Sequence, residues 1–137
     1  MRLAISEKRV KAMLFAIGDY LAGGLIGLAT AFLVRILIAP GMDMVIAMLI
    51  GMGLGMIVHM IVGFLLAPLL GMFETMMPGA LTGMYGGMLF AMRDSMGAGS
   101  STLTAALLVG AGFGVAVTSA MKIYDRALRG PVLESDV

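Results

Sequence analysis

Residues 44–70 read MVIAMLIGMGLGMIVHMIVGFLLAPLL. The stretch contains no Asp, Glu, Lys or Arg, and His59 is its single ionisable side chain. A bilayer core of about 30 Å is crossed by about 20 helical residues rising about 1.5 Å each. This segment spans with residues to spare, and it decides the class. The chain reads as an all-α, polytopic membrane protein.

Three further apolar segments lie on either side of it. We expect four transmembrane helices, over about 12–34, 44–70, 78–92 and 102–121, in one domain covering residues 1–137. The third is short and stops before Arg93. From Pro78 to Met92 it extends only about 22 Å. It can borrow from residues 73–77, or the membrane can thin around it. Ala39-Pro40-Gly41 ends the first span, and Pro78 suits the first turn of the third. Gly97-Ala98-Gly99-Ser100-Ser101 reads as a connector in which either Ser can cap the fourth helix. The lead 1–11 can form a short helix lying in the interface, although its apolar face of Leu3, Ile5 and Val10 is small, and 130–137 reads as a loose tail.

Composition agrees. Hydrophobic residues make up 61% of the chain and charged residues 12%. An average soluble domain carries roughly 25% charge. Lipid must solvate part of this surface. With no Cys, a disulfide framework, a thiolate metal site and a cysteine nucleophile are excluded. A net charge of +1 is too small for a nucleic-acid binder. No Ser-His-Asp arrangement, paired carboxylates or phosphate loop can be assembled, so no catalysis of its own is expected. Ala29-Thr30-Ala31 mimics a signal-peptidase site, but the apolar run continues past it, and we read an uncleaved span.

Seven of the nine Lys and Arg sit at the two termini: Arg2, Lys8, Arg9 and Lys11, then Lys122, Arg126 and Arg129. The positive-inside rule places both ends in the cytoplasm, on an even number of spans in an inner membrane.

Lipid tails are as apolar as Leu, so close backbone packing at small residues must join the helices. Every span carries such a row at four-residue spacing. Span one has Gly23, Gly27 and Ala31; span two has Ala47, Gly51, Gly55 and Gly63, with His59 in the same row. Span three has Gly79, Gly83, Gly87 and Ala91; span four has Ala106, Gly110, Gly114 and Thr118. The rows imply a tight, glycine-notched bundle and allow a homo-oligomer or docking to a larger membrane complex.

Methionine is concentrated in the two central spans. Met48, Met52, Met56 and Met60 follow Met44 at four-residue steps, and Met84, Met88 and Met92 repeat the step in span three. The segments 51–60 and 83–92 match at five of ten positions. Counting the rise along antiparallel helices sets Met60 near Met84, Met56 near Met88 and Met52 near Met92. Met42, Met44 and Met96 crowd the outer mouth, and Met72, Met76, Met77 and Glu74 the inner one. Thioethers are neutral, soft ligands that suit Cu(I). Read this way, Met48 to Met60, Met84 to Met92 and His59 form a candidate Cu(I) path, with exchangeable ligation as conduction requires. The MxxxM spacing beside GxxxG resembles the core motifs of the CTR copper transporters, over short stretches of spans two and three, and implies Cu(I) as cargo. The plain alternative is that Met fills gaps against notched helices and binds nothing.

Ionisable groups inside a bilayer are costly and informative. Asp19 lies about 10 Å into span one, His59 at a similar depth in span two. The two are expected to pair, as a helix clamp or as a proton relay. Asp19 loosely resembles the acid of small multidrug transporters, which implies proton-coupled export as a further alternative. Arg35 is expected to reach Asp43 or snorkel to headgroups.

Overall fold

A computed structural model describes residues 2–98 and 102–129, with every side chain in those ranges except those of residues 2, 4, 72–75 and 129. It contains α1 (Arg2–Leu37), α2 (Met44–Leu70), α3 (Met72–Ser95) and α4 (Leu103–Arg129). Among the described residues, three helices are long and apolar enough to cross a membrane, over Ile5–Leu37, Met44–Leu70 and Leu103–Leu128. α3 is not among them. It has 24 residues. At the helical rise that is about 36 Å, which suffices in length. Its Gly, Thr, Tyr and Arg dilute its apolar character.

Several boundaries differ from the sequence reading. The N-terminal lead is not a separate interfacial helix, because α1 is continuous from Arg2 over 36 residues. Such a helix extends about 54 Å, longer than a bilayer core is thick. Pro78 does not open α3. The chain reverses at Gly71, whose φ of +91° suits glycine. α3 therefore starts at Met72 and carries Pro78 inside it. At its other end α3 runs through Arg93 and Asp94 to Ser95, because Asp94 is buried in the bundle. The Ser100 and Ser101 caps and the tail 130–137 lie outside the described residues. At α4 the Thr102 hydroxyl accepts from Ala105 N at 3.3 Å. At α2 the Asp43 carboxylate caps Val45 N at 2.9 Å and Ile46 N at 3.2 Å.

The helices pair by their small-residue rows. α2 packs most extensively on α3, and α1 on α4. A Cβ added at Gly55 would strike the carbonyl of Gly83, and one at Gly51 that of Gly87. The same relation joins Gly27 to Gly110 and Gly23 to Gly114. Backbones can touch only because these residues have no side chain. α1 and α3 also touch each other and form the inner diagonal, while α2 and α4 share no contact among the described residues.

Hydroxyls inside the bundle are satisfied within their own helices, as an apolar surround demands. Thr30 donates to the Ile26 carbonyl at 2.7 Å, Thr82 to Pro78 at 2.7 Å and Thr118 to Gly114 at 2.9 Å. Near the α1–α2 loop, Val34, Ile38, Ala47 and Ala91 form a small apolar core with Met42 and Phe90 against it. Arg35 pairs there with Asp94 at 3.4 Å, not with Asp43, whose carboxylate is committed to the α2 cap.

Candidate functional site

The methionine rows flank the α2–α3 contact and do not fill it. Each Met of the two rows follows a residue of the contact line (Ala47, Gly51, Gly55, His59, Gly83, Gly87 or Ala91) by one position, which turns it about 100° round the helix. The direct line of contact is taken by Ala47, Gly51, Gly55 and His59 against Gly79, Gly83, Gly87 and Ala91. Met48, Met52, Met84, Met88 and Met92 are half-buried beside it. Met56 and Met60 face outward, Met60 with 68% of its surface exposed. Met44, Met76, Met77 and Met96 are exposed, and Met42 packs on the loop-end core and does not stand at an open mouth. The side chains of Met72 and Glu74 lie outside the described residues. No group of three or more His, Asp or Glu among the described residues is placed to hold a metal ion.

His59 is 9% exposed and sits in the junction of α1, α2 and α3. Its room comes from Gly79: a Cβ there would meet His59 Nδ1 at 2.5 Å and Ile26 Cδ1 at 2.9 Å. Nδ1 is buried and has no hydrogen-bond partner. The expected pairing with Asp19 is not made, because the Asp19 carboxylate belongs to the α1–α4 contact and His59 to the α2–α3 contact.

Asp19 Oδ2 lies 2.9 Å from Lys122 Nζ. The ammonium also donates to the Ala16 carbonyl at 3.3 Å and stands 4.7 Å from the centre of the Tyr20 ring. Three weak partners together hold a cation that lipid alone would not solvate. The other carboxylate oxygen, Asp19 Oδ1, is buried without a partner.

Sequence reasoning missed Lys122 as the partner, though a signal existed. The α1 row steps back from Gly27 to Gly23 to Asp19, and the α4 row steps forward from Gly110 to Gly114, Thr118 and Lys122. Gly23 meets both Gly114 and Thr118. Continuing that antiparallel register by one turn sets Asp19 against Lys122.

Beside this pair the helices enclose an open cleft of about 800 Å³. Phe15 and Asp19 of α1, Met77 and Pro78 of α3, and Met121 and Lys122 of α4 supply much of its wall. Asp125 and Arg126 also line it, one turn further along α4. Gly18 lies against the Leu70 side chain, which sets the cleft level with the turn between α2 and α3. The arrangement can receive an elongated, largely apolar molecule and offer charged groups of both signs to its polar end. Comparison with protein-family models, with curated proteins and with solved structures finds no match for this chain.

Proposed function

We propose that this chain is a small four-span protein of the inner membrane, with both termini cytoplasmic. In this reading it works as an oligomeric or accessory subunit, without catalysis of its own, and offers methionine thioethers to Cu(I). One observation carries the reading. Leu49, Gly53, Met56, Ile57, Met60 and Phe64 share one face of α2; the five with side chains are exposed, and Gly53 has nothing within 4 Å of where a Cβ would stand. Gly51 and Gly55 of the same helix are already used inside the bundle, so Gly53 is a notch left for another helix. A second helix seated there would bring Met56 and Met60 into a shared, lipid-free column of soft ligands. The fourth span is supported by the antiparallel packing of α3 along α2 and by the basic residues at both ends of the chain.

Purification of the full chain in mild detergent, followed by mass measurement and copper analysis under reducing conditions, tests this. Gly53→Leu is expected to break the assembly. Met56→Leu with Met60→Leu is expected to keep the assembly and lose copper. A monomer that binds no copper and brings down no partner complex would overturn the proposal. Assembly without copper in any variant would leave the purely structural role. A second reading, proton-coupled transport through Asp19, draws on its buried, unpartnered oxygen. It requires the purified chain to transport alone in liposomes and Asp19→Ala to abolish that transport.

A further inference from the structure

The N-terminal part of α1 has no role in the subunit reading above, which seats the assembly on α2. We infer that it is an interface between copies of this chain: α1 helices of neighbouring copies pair in parallel along a heptad stripe that begins outside the membrane and runs into it. The inference shares with that reading only the crossing of the membrane by α1, and needs neither the Gly53 contact nor copper.

Position comes first. A bilayer core of about 30 Å, counted back along α1 from Leu37, ends near Gly18. Gly18 also lies against Leu70, beside the turn between α2 and α3. From Arg2 to Ile17 the helix therefore stands about 24 Å beyond the apolar layer. α4 accompanies it only part of the way, since Ala12 and Leu128 share the cleft wall and α4 ends at Arg129. Every described side chain from Leu3 to Phe15 is exposed. A lone helix of this length is marginal in water, and lipid does not reach it.

The pattern then names the occupant. Leu3, Glu7, Val10, Leu14, Ile17 and Leu21 follow one another at alternating steps of four and three. Those are the d and a positions of a heptad. Each of the five apolar ones has more than half of its surface exposed. Gly23 and Ile26, through which α1 meets α4 and α3, lie on the other side of the helix. Lipid asks only for apolar character, whereas a second helix wound round the first asks for a seven-residue repeat. The charges obey the same repeat. Lys8 and Arg9 fall at b and c, away from the stripe. All copies insert with one orientation, so the pairing is parallel and sets each stripe residue against its own counterpart. On the flanks Ser6 at g then faces Lys11 at e of the other copy, and Met13 faces Gly18, so no like charges oppose each other there. Glu7 is the one charge on the stripe, and Lys11 pairs with it at 2.7 Å. A polar residue at a single a position fixes register at a cost in stability.

The chain has no Cys, so single-cysteine variants report proximity without background. Cysteine is placed in turn at positions 3 to 17 of the full chain, in membranes of expressing cells, and covalent dimer is measured after mild oxidation with iodine. Leu3, Glu7, Val10, Leu14 and Ile17 should crosslink several-fold more than Ile5, Lys8 and Ala12. Ile5 is apolar and exposed but lies off the stripe, so indiscriminate apolar adhesion would crosslink it as well. Glu7→Leu should tighten the association read at Val10 by at least about tenfold, the value of burying one leucine. Val10→Glu, exposed and outside the membrane, should weaken the association read at Leu14 by a similar factor. Gly53→Leu, which removes the contact proposed on α2, should leave the crosslinks in place. Crosslinking that is absent, uniform along the segment or confined to a single crossing point would overturn the inference. So would a weaker association in Glu7→Leu, or loss of the crosslinks in Gly53→Leu, since the α1 contact would then only follow from the assembly on α2.

Discussion

Asp19 Oδ2 stands 2.9 Å from Lys122 Nζ, one helical turn beyond the place where Gly23 faces Thr118. The glycine contact sets the register, and the register brings the two charges together. A carboxylate and an ammonium, both mostly withdrawn from solvent, are held by the same antiparallel geometry that closes α1 on α4. Thr118 contributes twice, filling the space over Gly23 and donating its hydroxyl to Gly114.

Removing one member of this pair should hurt more than removing both. Asp19→Ala or Lys122→Ala is expected to lower stability by about 2 kcal/mol, because each leaves a mostly buried charge without its partner. The double variant should lose less than either single variant. Unfolding in detergent micelles, followed by circular dichroism for all four proteins, checks this. Strict additivity would show that the two charges act independently.

Two glycines in the same turn of α2 should answer oppositely to the same substitution. Gly55→Ala pushes a methyl into the Gly83 carbonyl. It should destabilise by about 1–3 kcal/mol as the helices part. Gly53→Ala meets nothing within 4 Å. In the dissociated single chain it should be neutral, or stabilising by up to about 1 kcal/mol through helix propensity. Thermal unfolding of the two variants side by side is sufficient. Equal losses at both positions would mean that the α2–α3 backbones do not touch as described.

His59 and Gly79 should be coupled. Gly79→Ala alone drives a methyl against His59 Nδ1 and Ile26 Cδ1, and is expected to destabilise. In a His59→Ala background the space is vacant and the same substitution should be tolerated better. The difference between backgrounds is expected to reach about 1 kcal/mol. An unchanged loss in both backgrounds would place the crowding elsewhere.

Asp43 makes a narrower prediction. Its carboxylate receives the Val45 and Ile46 N–H groups at the start of α2. Asp43→Ala should cost about 1 kcal/mol and Asp43→Asn much less, since asparagine caps comparably. Thermal unfolding of both variants checks this. If Asp43 instead paired with Arg35, Asp43→Asn and Asp43→Ala would be equally harmful.

The class of the molecule was plain from residues 44–70, because hydropathy is a local property that any window reports. The small-residue rows were equally plain, since a period of four lies within one helix. The short turn between spans two and three also made them neighbours, and their rows do meet, whereas nothing local showed that the row of span one meets that of span four. The methionine rows show the limit most clearly. Their company with the glycines suggests that they line a seam, yet one residue along a helix is about 100° of rotation. That rotation turns Met56 and Met60 outward. The span boundary at Pro78 was misjudged for a related reason, since proline marks a helix start only when nothing upstream, here Gly71, has already turned the chain.

By itself, the sequence determined that lipid must solvate this chain and that its helices can approach closely. Both follow from side chains taken one window at a time. The tertiary structure alone decided that Asp19 meets Lys122 and not His59, that Arg35 meets Asp94 and not Asp43, and that a cleft opens beside the first pair. Charges in a low-dielectric bundle pair with whatever the backbone register sets within reach, and for Asp19 and Lys122 that register is fixed by glycine contacts between α1 and α4, helices from opposite ends of the chain.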